Sequence, residues 1–182
     1  MGSQAAAAAV EEALTTRGVE WERGAGGSYV VTLPGTHKLK TVCNLVLGDH
    51  AMRVEAFVMR APEERHEELW AWLLRRNARM YGVAFAIDTV GDVYLVGRVP
   101  LHAVTPDEVD RLLGAVLTYA DESFDPMLEL GFGSAIRREW AWRVSRGESL
   151  ANLKAFEHFA PRPASPGLTS EATEERSEEG RS

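Results

Sequence analysis

Two clusters of arginine and tryptophan have the residue types and spacing best suited to chemistry in this chain. In "LLRRNARMYG", residues 73–82, Arg75, Arg76 and Arg79 close an apolar segment that holds Trp70 and Trp72. Guanidinium groups are planar forks that grip carboxylate or phosphate through paired hydrogen bonds, so this cluster could capture an anion. The same arginines could instead finish a helix. Glu63, Glu64, Glu67 and Glu68 stand at the start of that segment and the arginines at its end, each sign matched to the helix dipole. The helix-finishing reading is preferred. Further along, Arg137, Arg138, Arg143 and Arg146 surround Trp140 and Trp142, a mixture able to stack nucleic-acid bases. A formal charge of -7 weighs against that use, since attraction to phosphate backbones comes from basic charge. Here too packing of the tryptophans with arginines at the rim is preferred.

Other chemistries find less support. Glu63 and His66 stand at i, i+3, a spacing that a di-iron bundle uses on each of two helices, but no second copy occurs. His50, His102 and His158 have no pairing at ligand spacing, so no metal is expected. Cys43 alternates with Leu45 and Leu47 and reads as a core thiol. The chain has no phosphate loop, dinucleotide fingerprint, nucleophile elbow or zinc-peptidase motif. Asp107, Asp110, Asp121, Glu122 and Asp125 read as a solvated helix face. Neither a cofactor nor a catalytic residue is expected.

The elements that must position these residues follow from periodicity. Residues 4–17 form an alanine-rich helix ended by Gly18. "SYVVTL" reads as a strand, and from Leu39 the alternation Leu39, Thr41, Cys43, Leu45, Leu47 marks a second. Met52, Val54, Ala56 and Val58 mark a third, with Arg53, Glu55 and Phe57 opposite. "APEERHEELWAWLLRRNARM" reads as a helix with Leu69, Trp70, Leu73 and Leu74 at helical spacing. "VAFAI" and "VYLVGRV" are strands joined around Gly91. Thr105, Pro106 and Glu108 make a capping box ahead of the stripe Val109, Leu112, Leu113, Val116, Leu117, Ala120. Pro126 and the "GFG" at 131–133 are expected to break that helix, with "SAIRREWAWRVSRG" a further one.

A chain of 182 residues with 45% hydrophobic and 26% charged residues suits one packed domain. Residues 161–182 carry five glutamates against three arginines and little apolar surface, and are expected to be a disordered acidic tail beyond a domain at 1–160. The start lacks a basic leader, the single cysteine fits a reducing compartment, and no apolar run is long enough to span a bilayer. A cytoplasmic protein is expected, with neither nucleic acid nor membrane as partner.

The order helix, three strands, helix, two strands, helix is that of the class I type III secretion chaperones. The segment from "LPGTHKLKTVCNLVLGDHAMRVEAFVMR" through "LLRRNARMYGVAFAIDTVGDVYLVGRVPL" resembles the actinobacterial branch of the YbjN-domain family. "FDPMLELGFGSAIRREWAWRVSRGESLANLKAFEHF" resembles its C-terminal extension. The resemblance spans about residues 5 to 160. It implies an α/β (α+β), secretion-chaperone-like antiparallel sheet with packed helices, commonly dimeric, that binds protein segments and is associated with stress or sensory regulation. It implies no catalytic residues.

The expectation is therefore a non-enzymatic, chaperone-like or regulatory domain that binds a protein or peptide. Its candidate contact residues are Trp70, Trp72, Arg75, Arg76, Arg79, Arg137, Arg138, Trp140 and Trp142. The alternative is a domain or enzyme for a small anionic ligand, which requires both arginine clusters to line one pocket. A homodimer is expected through the second helix or the hairpin at 83–98. Trp70 and Trp72 lie some 200° apart round a helix, so one should pack inside and leave the other exposed beside Leu69 and Leu73.

Overall fold

The alanine-rich start of the chain folds as its composition dictates. In the computed structural model, which describes residues 2–159, helix α1 spans Gly2–Arg17 and buries Ala6, Ala9, Val10, Ala13 and Leu14 along one stripe. Gly18, at φ 69°, ends it by donating its N–H to the carbonyls of Leu14 and Thr15. The tail expected to be disordered lies outside the described residues.

Six strands follow: β1 (Glu20–Arg23), β2 (Ser28–Pro34), β3 (Lys40–Leu47), β4 (Ala51–Met59), β5 (Ala84–Ile87) and β6 (Val93–Pro100). They form one antiparallel sheet in the order β1-β2-β3-β4-β6-β5. Alternation sends Val31, Leu33, Cys43, Leu45, Val54, Ala56, Val93 and Leu95 into the core, where α1 and the last helix cover them. The other face presents Val42, Phe57 and Val96 to solvent. β1 was not anticipated. "EWER" offers one inward apolar residue, Trp21, among three charges, which suits a short edge strand and hides its periodicity. Leu39 falls outside β3 and is exposed, so the inner row starts at Thr41.

Helix α2 (His66–Asn77) is shorter than expected at both ends. Arg65 takes a left-handed conformation (φ 51°, ψ 39°), and Glu63 and Glu64 precede the helix instead of opening it. Arg79 lies beyond its last turn. Leu69 and Leu73 form the buried stripe.

Helix α3 (Pro106–Arg146) corrects the largest expectation: it runs unbroken for 41 residues through Pro126 and Gly131–Gly133. Pro126 removes one donor but sits between residues whose packing holds the helix, Met127 and Phe132 on its C-terminal side and Ser123 and Ala120 before it, all buried. The glycine at 131 permits close approach instead of a break. A Cβ there would meet the Cβ of Pro62 at 2.8 Å, and its carbonyl accepts the N–H groups of Glu63 at 2.9 Å and Glu64 at 3.2 Å. Ser134 completes the joint, its N–H and Oγ–H both donating to the Glu64 carboxylate. The further helix expected at 134–147 is thus the C-terminal part of α3. After Gly147 a 3-10 stretch, Ala151–Phe159, folds back with Phe156 buried.

Candidate functional site

Strands β3 and β4 pair from Leu47↔Met52 to Cys43↔Ala56 and no further. A bulge between Phe57 and Met59 turns the end of β4 away. The opening is walled by α3 and the 3-10 stretch, giving an open groove of about 520 Å³. Phe124, Leu128, Phe132 and Ile136 come from α3, Phe57 from β4 and Leu153 from the 3-10 stretch. Two cations sit on its rings. Lys38 Nζ lies 5.0 Å from the centroid of Phe124 and 5.7 Å from that of Phe57, and the Arg60 guanidinium 4.8 Å from that of Phe132. Partial burial lowers the pKa of the Lys38 ammonium.

The loop carrying Lys38 is fixed by α3. One carboxylate oxygen of Asp121 accepts the backbone N–H groups of Thr36, His37 and Lys38 at 2.8, 2.8 and 2.9 Å, and His37 Nδ1 lies 2.7 Å from Asp125. Asp121 and Asp125, read from sequence as solvated, are thus the anchors of one groove wall. The groove residues were missed by sequence reasoning. Their signal was the consecutive run Phe57, Val58, Met59, which breaks the alternation where the bulge falls.

The residues singled out from sequence lie elsewhere. Trp70 and Trp72 are both half-buried, because each stands about 80° to either side of the Leu69–Leu73 stripe and the two share the flanks. The exposed apolar residue of α2 is Leu74, at 69%. With Trp70, Leu73, Asn77, Phe85, Ala86 and Ile87 it lines a hollow of about 330 Å³. Arg75, Arg76 and Arg79 line a different hollow, about 590 Å³, with Trp72, Ala78, Met80 and Tyr119. Trp140 is buried at 6% exposure, while Trp142 is 45% exposed with the Arg146 guanidinium over its ring. Arg138 shares a shallow hollow with Ala135, Glu139 and Trp142, and Arg137 is exposed near the Glu64 carboxylate. Arg75, Arg76 and Arg79 line one hollow and Arg138 a different one, so these two hollows do not make the one shared anion pocket that the alternative requires. Among the described residues no group of three or more histidine, cysteine or acidic side chains is placed to hold a metal ion.

The bacterial family model YbjN, described as "Putative bacterial sensory transduction regulator", matches residues 6–129. The chain belongs to the YbjN family. An uncharacterized protein of Mycobacterium tuberculosis is 56% identical over 138 residues, 76% of this chain and 75% of its own length. One of Mycobacterium leprae is 53% identical over 130 residues, 71% of each chain. Among solved structures, a chain of the ExsC–ExsE complex is similar at TM-score 0.50 and 17% identity, covering 66% of this chain and 92% of its own. The Yersinia pestis type III secretion chaperone SycH, solved with a fragment of YscM2, is similar at TM-score 0.49 and 18% identity, covering 63% and 96%. The antiparallel α+β architecture expected from the sequence is the one observed, with one strand more than anticipated. Among the described residues, no helix is long and apolar enough to cross a membrane.

Proposed function

We propose that this member of the YbjN family is a non-enzymatic, regulatory or chaperone-like domain of the cytoplasm that binds a segment of another protein in the groove between α3 and the end of β4. The observation that carries the reading is the groove itself, an aromatic and aliphatic trough with Lys38 and Arg60 on its rings and the Glu139 carboxylate in its lining. Such a trough suits the apolar face of an amphipathic segment, with acidic side chains towards Lys38 and Arg60. Addition of a strand to the sheet is the weaker mode. The β5 edge is occupied at Phe85 by the Asn77 side chain, and β1 is four residues long with three of them charged.

The test is affinity capture from a bacterial lysate with the full chain and with Leu153→Glu and Phe57→Glu, both at the groove lip. A reproducible protein partner that the substitutions release supports the reading. Recovery of no partner, or a partner indifferent to both substitutions, rejects it.

We further propose a homodimer through the hollow beside α2, where Leu74 and Ile87, 69% and 51% exposed, flank Trp70. Sedimentation at micromolar concentration gives a dimer that Leu74→Glu dissociates with its helical signal intact. A species of the monomer mass, 20.1 kDa, throughout the concentration range rejects it.

A further inference from the structure

The hollow beside the end of α2 combines charge and shape in a way that finishing a helix does not explain. Arg75 and Arg76 lie in the last turn, where cations favourably oppose the helix dipole, but Arg79 lies past the end and still lines the same concavity. Among the described residues Arg75 and Arg79 have no carboxylate within ion-pair distance. Arg76 has Glu122 at 3.8 Å, longer than a charge-assisted hydrogen bond, and its Nε is buried without a partner. Elsewhere Arg17, Arg23, Arg60, Arg65, Arg111 and Arg143 each sit against a carboxylate. A chain of net charge -7 therefore gathers three guanidiniums round one hollow with a single distant counter-charge.

The other lining groups fit a ligand. Tyr119 Oη accepts the Tyr81 N–H at 2.9 Å, which leaves its own hydroxyl proton to donate. The Arg76 guanidinium lies 4.8 Å over the Trp72 ring, a contact that favours its place in the hollow before anything binds. Ala78 and Met80 give an apolar wall, and about 590 Å³ admits a group of metabolite size. Three guanidiniums less the Glu122 charge leave about two positive charges, the match for a dianion. A carboxylate would use one fork and leave the others repelling each other. The partial negative charge of the helix end opposes an anion, but two of its last carbonyls, those of Arg76 and Asn77, already accept the N–H groups of Arg79 and Met80.

We infer that Arg75, Arg76, Arg79 and Tyr119 form a binding site for a phosphate monoester. Its phosphoryl oxygens take the guanidinium and hydroxyl donors, and its body lies on Met80 and Trp72. The dianion comes either from a small metabolite or from a phosphorylated side chain of a protein segment. The site shares no lining residue with the groove beside β4 and stands or falls separately from it.

The test is calorimetric titration of the full chain at low salt with adenosine monophosphate and with a short phosphoserine peptide, its unphosphorylated form as control. Saturable binding of either supports the site, and whichever binds identifies the source of the phosphate. Arg75→Ala and Arg79→Ala, both at exposed positions, should each weaken it about tenfold or more, as expected for a lost charged hydrogen bond. Arg138→Ala and the groove substitution Leu153→Glu should leave it unchanged. Binding of neither probe overturns the inference, as does binding that Arg138→Ala weakens as much as Arg79→Ala does.

Discussion

Asn77 holds Phe85 by both backbone groups: its Oδ1 accepts the Phe85 N–H at 2.7 Å and its Nδ2 donates to the Phe85 carbonyl at 3.1 Å. The last residue of α2 thus pairs with an edge strand as a neighbouring strand would, and closes that edge at its centre. Asn77→Ala leaves both groups without their partner and should cost about 1 to 3 kcal/mol in urea unfolding. Asn77→Asp keeps the acceptor and loses the donor, so its cost should be close to that of the alanine variant if the Phe85 carbonyl bond matters. An Asn77→Ala midpoint equal to wild type would remove this role.

The joint between Pro62 and Gly131 tolerates no side chain. Gly131→Ala places a methyl 2.8 Å from the Pro62 Cβ and should push the segment before α2 off α3, at about 1 to 3 kcal/mol, the usual cost of overpacking. Ordinary helix propensity predicts the opposite, since alanine is favoured over glycine by about 1 kcal/mol in a helix interior. The sign of the shift in thermal midpoint decides between them.

Glu64 makes the same joint sensitive to acid. Hydrogen bonds from the Ser134 N–H and then from its hydroxyl hold the carboxyl below the usual glutamate range, with help from Arg137 and Arg65. A carboxyl depressed in the folded state contributes stability that is present above its unfolded pKa and lost as pH falls through the folded one. Glu64→Gln should therefore lower the thermal midpoint at neutral pH and converge with wild type in acid. Parallel curves at every pH would show the carboxylate to be idle.

Cys43 is silent as a nucleophile and informative as a pH probe. Burial pushes its pKa from 9.0 up to about 12, so it should resist thiol reagents until the chain unfolds. The raised value means that stability from the neutral thiol is complete below its unfolded pKa. It then declines by about 1.4 kcal/mol per pH unit until the folded pKa is reached. Cys43→Ala should be less stable at neutral pH yet show a flatter alkaline limb. Rapid labelling of the native protein would refute the buried placement.

Much of this architecture was legible because it rests on local rules. Thr105 caps α3 as its position beside Pro106 dictates, its Oγ accepting the Glu108 N–H at 3.2 Å. The second half of that capping box is different: the Glu108 carboxylate reaches the Tyr81 hydroxyl and Arg111 instead. Arg111 is a helical neighbour at i, i+3, whereas Tyr81 is a tertiary partner for the carboxylate that no periodicity announces. The same holds for "GFG", where sequence records small residues but not the Pro62 that requires them. Arg75, Arg76 and Arg79 were noticed for their type, but their shared hollow depends on Tyr119 and on α2 ending before Arg79. The groove was invisible since its walls come from separate segments scattered between Lys38 and Leu153, most of them apolar for ordinary reasons.

The continuity of α3 has a kinetic consequence. A helix broken at Pro126 would have left residues 134–146 free to swing as a flap, and a guest would have had to wait for, and then order, that flap. A single rod about 60 Å long, joined at its middle to Pro62 and near its start, through Glu108, to Tyr81, is a standing wall. A guest entering beside it spends little entropy on arranging its host, so association should run at the ordinary rate for rigid docking, and differences between guests should appear in how slowly they leave.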